Sequence, residues 1–482
     1  MKKISIHIFC FFLSVGFFAF PARSQDNTLY MLHQLPQANM LNPAVDFRCK
    51  FYIELPVISS IKFNYHNTSF SYRDFIRQGT GSKADSLIFD FDNIYPKLRR
   101  NNAIYSEIEN VIIGAGFHWK KYFITARIYH AHQAGFFYNK ELITMKDGNW
   151  DINTDKPVNF DLKRNEGNAI SYIAYSVGVS RQFSYQFRLG ASISYLQGML
   201  NYNTKQSELN INTTEQPVTV DVNTNYNSNV SAPLDIERDA NGNVDRIRPV
   251  TDNFVKNYIF NGNRGLKLDL GAVYNLSENT TLAASILNLG FIRWKSSALN
   301  LKATGNISLS GVSLDGYTNG QAVDLINMLR DTVLQSLNAT DSPTKYFTPL
   351  PVKVFAGVTQ KLSTKVKAGL VSKIYIFNFA VFPSLTATIN VKPVKYLDLS
   401  GSLSYVDRSL RNIGFAVIVG GERVNFYISS DMMPIFYVQE SQSGLIFPQR
   451  AKSVSVRFGF NLMFGCKKVK KVKIPGVCPA YD

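Results

Sequence analysis

From about residue 110 onward the chain alternates apolar and polar residues in runs that recur roughly every 12 to 20 residues, a period of two that dictates strands with one apolar face. In Tyr185–Gln197 one face carries Tyr185, Phe187, Leu189, Ala191, Ile193 and Tyr195; the other carries Gln186, Arg188, Gly190, Ser192 and Ser194. Lys452–Phe464 repeats this with Val454, Val456, Phe458, Phe460, Leu462 and Phe464 against Ser453, Ser455, Arg457, Gly459 and Asn461. The same pattern marks Val111–Trp119, Tyr122–His130, Ile170–Arg181, Gly265–Tyr274, Thr280–Leu287, Val352–Thr359, Val366–Tyr375, Ser384–Val391, Tyr396–Tyr405, Ile413–Val419 and Val424–Ser430. Weaker runs at Phe51–Leu55, Ile61–Tyr72, Phe136–Met145 and Leu299–Leu309 bring the total to about 14 strands, many near the nine to eleven residues that cross a membrane at a tilt.

A soluble β-sandwich alternates too, so further features decide. The polar faces are rich in Gly, Ser and Thr, as suits a crowded lumen. Aromatic residues, 13% of the chain, recur near strand ends, as at Trp119, Tyr122, Tyr185, Tyr274, Tyr396 and Phe464, where an interfacial girdle needs them. Tight turns such as Lys120-Lys121 and Gly420-Gly421 alternate with long polar excursions. The expected fold is all-β: a transmembrane antiparallel β-barrel over residues 49–464 with a loop helix or plug element.

Lys2 and Lys3 precede an apolar run from Ile4 to Phe20, then Pro21 and the small residues Ala22 and Ser24, the layout of a signal peptide over residues 1–24 cleaved before Gln25. Cys10 lies within the apolar run, so no lipoprotein attachment site is expected. About 458 residues remain, and no later segment approaches the ~18 consecutive apolar residues of a spanning helix. Residues 25–48 are expected to form an N-terminal periplasmic or plug segment. Cys49, Cys466 and Cys478 do not make a disulfide scaffold; Cys466 and Cys478 pair across the tail, or all three thiols stay free.

The formal net charge is +17, a balance that often reads as nucleic-acid binding. For an exported chain that reading loses its weight, and outer-membrane lipid and lipopolysaccharide become the expected anionic partners. Three stretches break the strand rhythm and are expected as long loops: 73–110, with short helices at Tyr72–Arg77 and near Lys97; 201–250; and 311–347, where Gln321–Leu337 has helical spacing. The tail 465–482 holds Lys467, Lys468, Lys470, Lys471 and Lys473, a solvated terminus or a periplasmic contact for peptidoglycan or a partner protein.

No metal motif, phosphate loop or nucleophile elbow is present, and neither an enzyme nor a cofactor is expected. His130-Ala131-His132 continues the outward face begun at Tyr122 and is expected as an interfacial pair at a strand end. His118 faces the lumen with Gly114 and Gly116, without a serine to pair with. Turning each strand's polar set inward lines the lumen with Arg127, Arg188, Lys267, Lys353, Lys367, Lys373 and Arg457 against Asp269 and Asp398. Such a lining either favours anions or pairs with carboxylates from loops and plug.

The segment Leu35-Pro36-Gln37-Ala38-Asn39-Met40-Leu41-Asn42-Pro43-Ala44, followed by Phe51–Pro56, resembles the start of an outer-membrane barrel family of Bacteroidota. Leu268–Tyr274 with Ala284–Trp294 resembles its central hairpin, and Tyr346–Gly357 fits as well. The Asn42-Pro43-Ala44 start is also similar to the PorP/SprF proteins, and the wider group resembles FadL-type and PorV barrels. The resemblance implies a binding or assembly component of the cell envelope, linked to type IX secretion or gliding and contacting a periplasmic or secretion-system protein. Its alternative is a FadL-like transporter of small or hydrophobic solutes.

Overall fold

The computed structural model describes residues 26–466 apart from 48, 79–86, 152, 216–217, 239–243, 251, 311–337, 378–379, 407–408, 422, 433–436, 440–445 and 449–451. Among the described residues fourteen antiparallel strands close on themselves. The first, β1, has two halves, Cys49–Glu54 and Ile61–Asn67. There follow β2 (Asn101–Trp119), β3 (Tyr122–Asn139), β4 (Glu166–Gln182), β5 (Phe187–Glu215), β6 (Arg264–Asn275) and β7 (Thr280–Trp294). The circuit continues through β8 (Val352–Lys361), β9 (Val366–Phe377), β10 (Ala380–Val394), β11 (Leu397–Val406), β12 (Ser409–Gly420), β13 (Val424–Met432) and β14 (Ser453–Cys466). β14 pairs back onto both halves of β1, with Phe51 opposite Phe464 and Ile61 opposite Phe458. Closure satisfies the backbone groups that an open edge would leave bare in lipid.

Alternation places the side chains as a lipid-facing wall demands. On β6 Leu266, Leu268 and Leu270 are exposed on the outside while Lys267 and Asp269 are buried inside. Tight turns gather at one end, where Trp119, Phe183, Tyr185, Tyr396 and Phe464 form an exposed aromatic belt. Long excursions gather at the other. There β5 runs on for 29 residues and returns in Val218–Ser231, which pairs with Ala298–Ser310, and that strand pairs in turn with Asn338–Pro343. Through their described strands, the stretches 201–250 and 311–347, expected as loops, thus contribute to a polar hairpin tower above the barrel. Gln321–Leu337 lies outside the described residues, as do residues 1–25 and the tail from Lys467.

Other boundaries differ for local reasons. β2 begins at Asn101, inside the expected loop 73–110, because a bulge at Ile112 reverses the strand's parity and hides the alternation ahead of it. Upstream, the loop holds helical turns at Tyr72–Phe75, Phe91–Ile94 and Tyr95–Lys97. β3 extends to Asn139, which puts His130 and His132 in mid-strand instead of at a strand end, and a helical turn, Glu141–Thr144, replaces the expected strand beyond it. Cys466 pairs with Cys49. The expected choices, a bridge to Cys478 or three free thiols, overlook that closure sets the outer ends of β1 and β14 side by side; Cys478 lies outside the described residues.

The lumen is filled from residue 26 to residue 47. Two short helices, α1 (Asn27–Tyr30) and α2 (Ala38–Leu41), sit in this plug, and nearly all of it is buried. Leu29, Leu32 and Leu35 pack with Tyr30 against wall residues Phe355, Val371, Ile418 and Tyr427. Tyr30 stacks on Phe355 with ring centroids 4.7 Å apart. Each fully buried leucine stabilises the seating by roughly 1.5–3 kcal/mol, so apolar contact, not charge alone, holds the plug.

Candidate functional site: the plugged lumen

The plug turns on Asn42-Pro43-Ala44. The Asn42 side-chain oxygen accepts the Ala44 N–H at 3.0 Å, an Asx turn that the following proline favours. This turn rests on two wall glycines, Gly190 of β5 and Gly271 of β6, which are direct cross-strand partners. A Cβ on Gly190 would stand 2.2 Å from the Pro43 carbonyl oxygen, and one on Gly271 would stand 2.1 Å from Asn42 Oδ1. Only glycine admits so close an approach.

Charge is concentrated where the plug begins. Asp26 accepts from Lys62 at 2.7 Å and lies 3.4 Å from Arg457 and 3.7 Å from Lys353. Glu107 bridges Lys62 at 2.9 Å and Lys353 at 2.8 Å, and Glu109 takes Arg457 at 2.9 Å. Burial alone would raise the Asp26 carboxyl, but Lys62, Arg457, Lys353 and Lys373 outweigh it and hold the group well below the usual carboxylate range. Asp26 belongs to the plug, so this network ties that segment to the wall.

Further down, Arg127 pairs with Glu54 at 2.6 Å and donates to Tyr52 Oη at 2.6 Å and to the Pro36 carbonyl at 3.2 Å. Gln37 of the plug donates to Glu54 at 3.2 Å and to Asn461 at 2.6 Å. Lys267 pairs with Asp269 at 2.9 Å and donates to Tyr129 Oη at 2.5 Å. At the tight-turn mouth, Asp46 binds Arg188 and lies 2.5 Å from His118 Nε2, while His118 Nδ1 donates to the Cys49 carbonyl at 3.1 Å. Burial pushes the Asp46 carboxyl up, and the His118 hydrogen bond and Arg188 charge more than reverse it, leaving it below its ordinary value.

Of the residues expected to line the lumen, Arg127, Lys267, Asp269, Lys353, Lys373 and Arg457 are buried inside the barrel. Arg188 is at the mouth. Lys367 and Asp398 are half-buried, Asp398 lying 3.5 Å from Lys392. Sequence reading missed Glu54, Lys62, Glu107 and Glu109. Glu107 and Glu109 sit ahead of the Ile112 bulge, where odd residues face inward; beyond it even ones do, as at Gly114 and Gly116. His130 and His132 face outward, and among the described residues no group of three His, Cys, Asp or Glu could hold a metal.

A bulge also marks the wall beside the plug. Asp269 stands opposite Leu287 and Asn288, and the Asn288 backbone, at φ 64°, turns its N–H to Asp269 Oδ1 at 2.7 Å. Next to it a cavity of about 50 Å³ separates plug from wall, lined by Met40, Pro43, Arg127, Tyr172, Lys267 and Asp269 among others. That is room for a few water molecules, at roughly 10–15 Å³ each.

No curated protein matches the sequence. Among solved structures, the toluene transporter TodX of Pseudomonas putida is similar at 8% identity and a TM-score of 0.39, over 92% of this chain and 94% of that one. A FadL homologue of Pseudomonas aeruginosa gives 8% and 0.39 over 93% and 100%. The toluene transporter TbuX of Ralstonia pickettii gives 8% and 0.40 over 92% and 96%. Residues 43–431 match the model of a family of unknown function, DUF5723, a span that runs from the Pro43 of the plug turn to the end of β13; the chain belongs to that family.

Proposed function

We propose that the protein is a plugged conduit of the outer membrane, delivered there by the signal peptide of residues 1–24. It is closed in the conformation described and opens when residues 26–47 move. One observation carries this reading: the plug presents a single carboxylate, Asp26, to Lys62, Lys353 and Arg457, above an apolar seat of Phe355, Val371 and Ile418. Removing the plug exposes both features at once. A solute with an acidic head and an apolar body offers the wall the same two partners, and only such differential affinity can shift a plug equilibrium. The substrate class is therefore a small amphipathic anion, and the reading requires no catalysis.

Proteoliposomes test it by uptake of a medium-chain carboxylate against the alcohol of equal length. The carboxylate is expected to enter faster, and Asp26→Asn is expected to raise uptake several-fold. No uptake through either protein would sink the reading.

A second reading, a binding or assembly component linked to type IX secretion or gliding, is favoured by the paired-strand tower and by a residual cavity of only about 50 Å³. Its periplasmic contact would be Lys467–Lys473. A co-purifying partner lost on deleting those residues supports it, and a solitary barrel counts against it.

A further inference from the structure

We infer that the outward face of β6, β7 and the adjoining strand Tyr346–Pro349 holds a phosphate-bearing lipid of the outer leaflet. The inference rests on the outer-membrane placement above but not on conduction. Arg264 of β6 and Arg293 of β7 are direct cross-strand partners, both exposed, on the outward parity shared by Leu266 and Phe291. Like charges set directly opposite on neighbouring strands repel, so the pair is unfavourable unless an anion sits against it. Lys295 and Lys345 are exposed beside them, and Lys256 is exposed on the helical turn Val255–Ile259.

Among the described residues none of these five cations has a carboxylate partner. Other cations at the same end of the molecule do: Arg238 pairs with Asp341, and Arg246 and Arg248 pair with Glu237. What sets this flank apart is the direct opposition of two arginines, Arg264 and Arg293, with further unpaired cations beside them.

What lies beside the row fixes the chemistry of the ligand. Immediately toward the membrane, Leu266, Leu268, Leu289 and Phe291 are exposed. Arg293 stands 5.7 Å over the Phe347 ring, which packs edge-on against Phe291 with centroids 5.6 Å apart. The helical turn is tied to the outward side of β5, where Gln197 donates to Asn261 Oδ1 at 2.9 Å and the Asn263 carbonyl at 3.0 Å. It exposes Phe254, Val255 and Phe260 around a shallow hollow. Aromatic side chains at this level suit a membrane interface. Guanidinium forks match phosphate oxygens two at a time, and a cation row directly above an apolar strip matches phosphates carried above acyl chains.

The test uses the full chain, purified in detergent and incubated with lipopolysaccharide or with the same material stripped of its lipid phosphates. Glycolipid retained after gel filtration is then measured. The wild type is expected to retain the phosphorylated form at least tenfold better than the stripped form. Arg264→Gln with Arg293→Gln is expected to lose at least tenfold, and Lys120→Gln with Lys121→Gln, at the opposite end, to lose nothing. The shift of the unheated barrel on a denaturing gel checks folding, and either single arginine variant serves if the double one does not fold. Equal retention by variant and wild type, or of the two lipid forms, overturns the inference. So does full displacement by millimolar inorganic phosphate, which would make this a free-phosphate site. Solute uptake is a separate readout, so failure of either proposal leaves the other standing.

Discussion

Cys49 and Cys466 are covalently joined across the seam where the first strand meets the last, 417 residues apart in sequence. A cross-link closing so long a loop chiefly restricts the unfolded chain, for a stabilisation of roughly 2–5 kcal/mol. Cys49→Ser and Cys466→Ser should each lower the temperature at which the barrel loses its compact gel mobility, as should a reductant acting on the wild type. An unchanged transition would mean that the seam's hydrogen bonds suffice.

Glu107 serves two buried lysines, Lys62 and Lys353. Glu107→Gln should destabilise the barrel by about 3–5 kcal/mol, the usual cost of leaving buried charge unmatched. Replacing Glu107 and Lys353 together by Leu and Met should recover much of that loss. Denaturant titration of both variants decides; equal destabilisation would show that the network is not organised around Glu107.

Gly190→Ala and Gly271→Ala each place a methyl group where the Asn42-Pro43 turn lies. The wall is braced by its neighbours, so the plug should yield, at roughly 1–3 kcal/mol. Residues 26–47 should become protease-sensitive while the barrel keeps its heat stability within a few degrees. A plug that stays protected would show that the turn has room to shift.

Acid should loosen the mouth. The Asp46 carboxyl lies below its ordinary value when folded, so its contribution is complete above the unfolded value, about 3.9, and is lost as pH falls through the lower folded value. Cleavage in the linker between plug and β1 should be flat from neutrality to about pH 5 and rise below about pH 4. Asp46→Asn should raise the baseline and flatten that response; loosening on raising the pH would contradict the assignment.

The alternation was legible because lipid and lumen impose opposite demands on successive residues, as β6 shows with Leu266, Lys267, Leu268 and Asp269. Apart from Asp269, the buried acidic residues of the lumen were not. Glu107 and Glu109 are read inward only once the extra residue at Ile112 is known, and Glu54 and Lys62 flank an irregular break between the halves of β1. The partner of Cys466 could have been found by supposing closure and asking which cysteine opens the first strand. The Asn42-Pro43-Ala44 motif was visible, but its seat on Gly190 and Gly271 joins distant parts of the chain that no local pattern connects.

The length of β5 has a bearing on what meets the molecule first. About ten of its 29 residues suffice to cross the membrane, and the rest, at about 3.3 Å each, can rise on the order of 50 Å clear of it. If the long excursions face outward, as the outer-membrane placement proposed above has them, an approaching phage, antibody or neighbouring cell would touch the tip near Glu215 and Val218 well before it reached the plug. Affinity tags or dyes inserted at that tip would therefore report on surface display while leaving the wall, its contents and its lipid collar undisturbed.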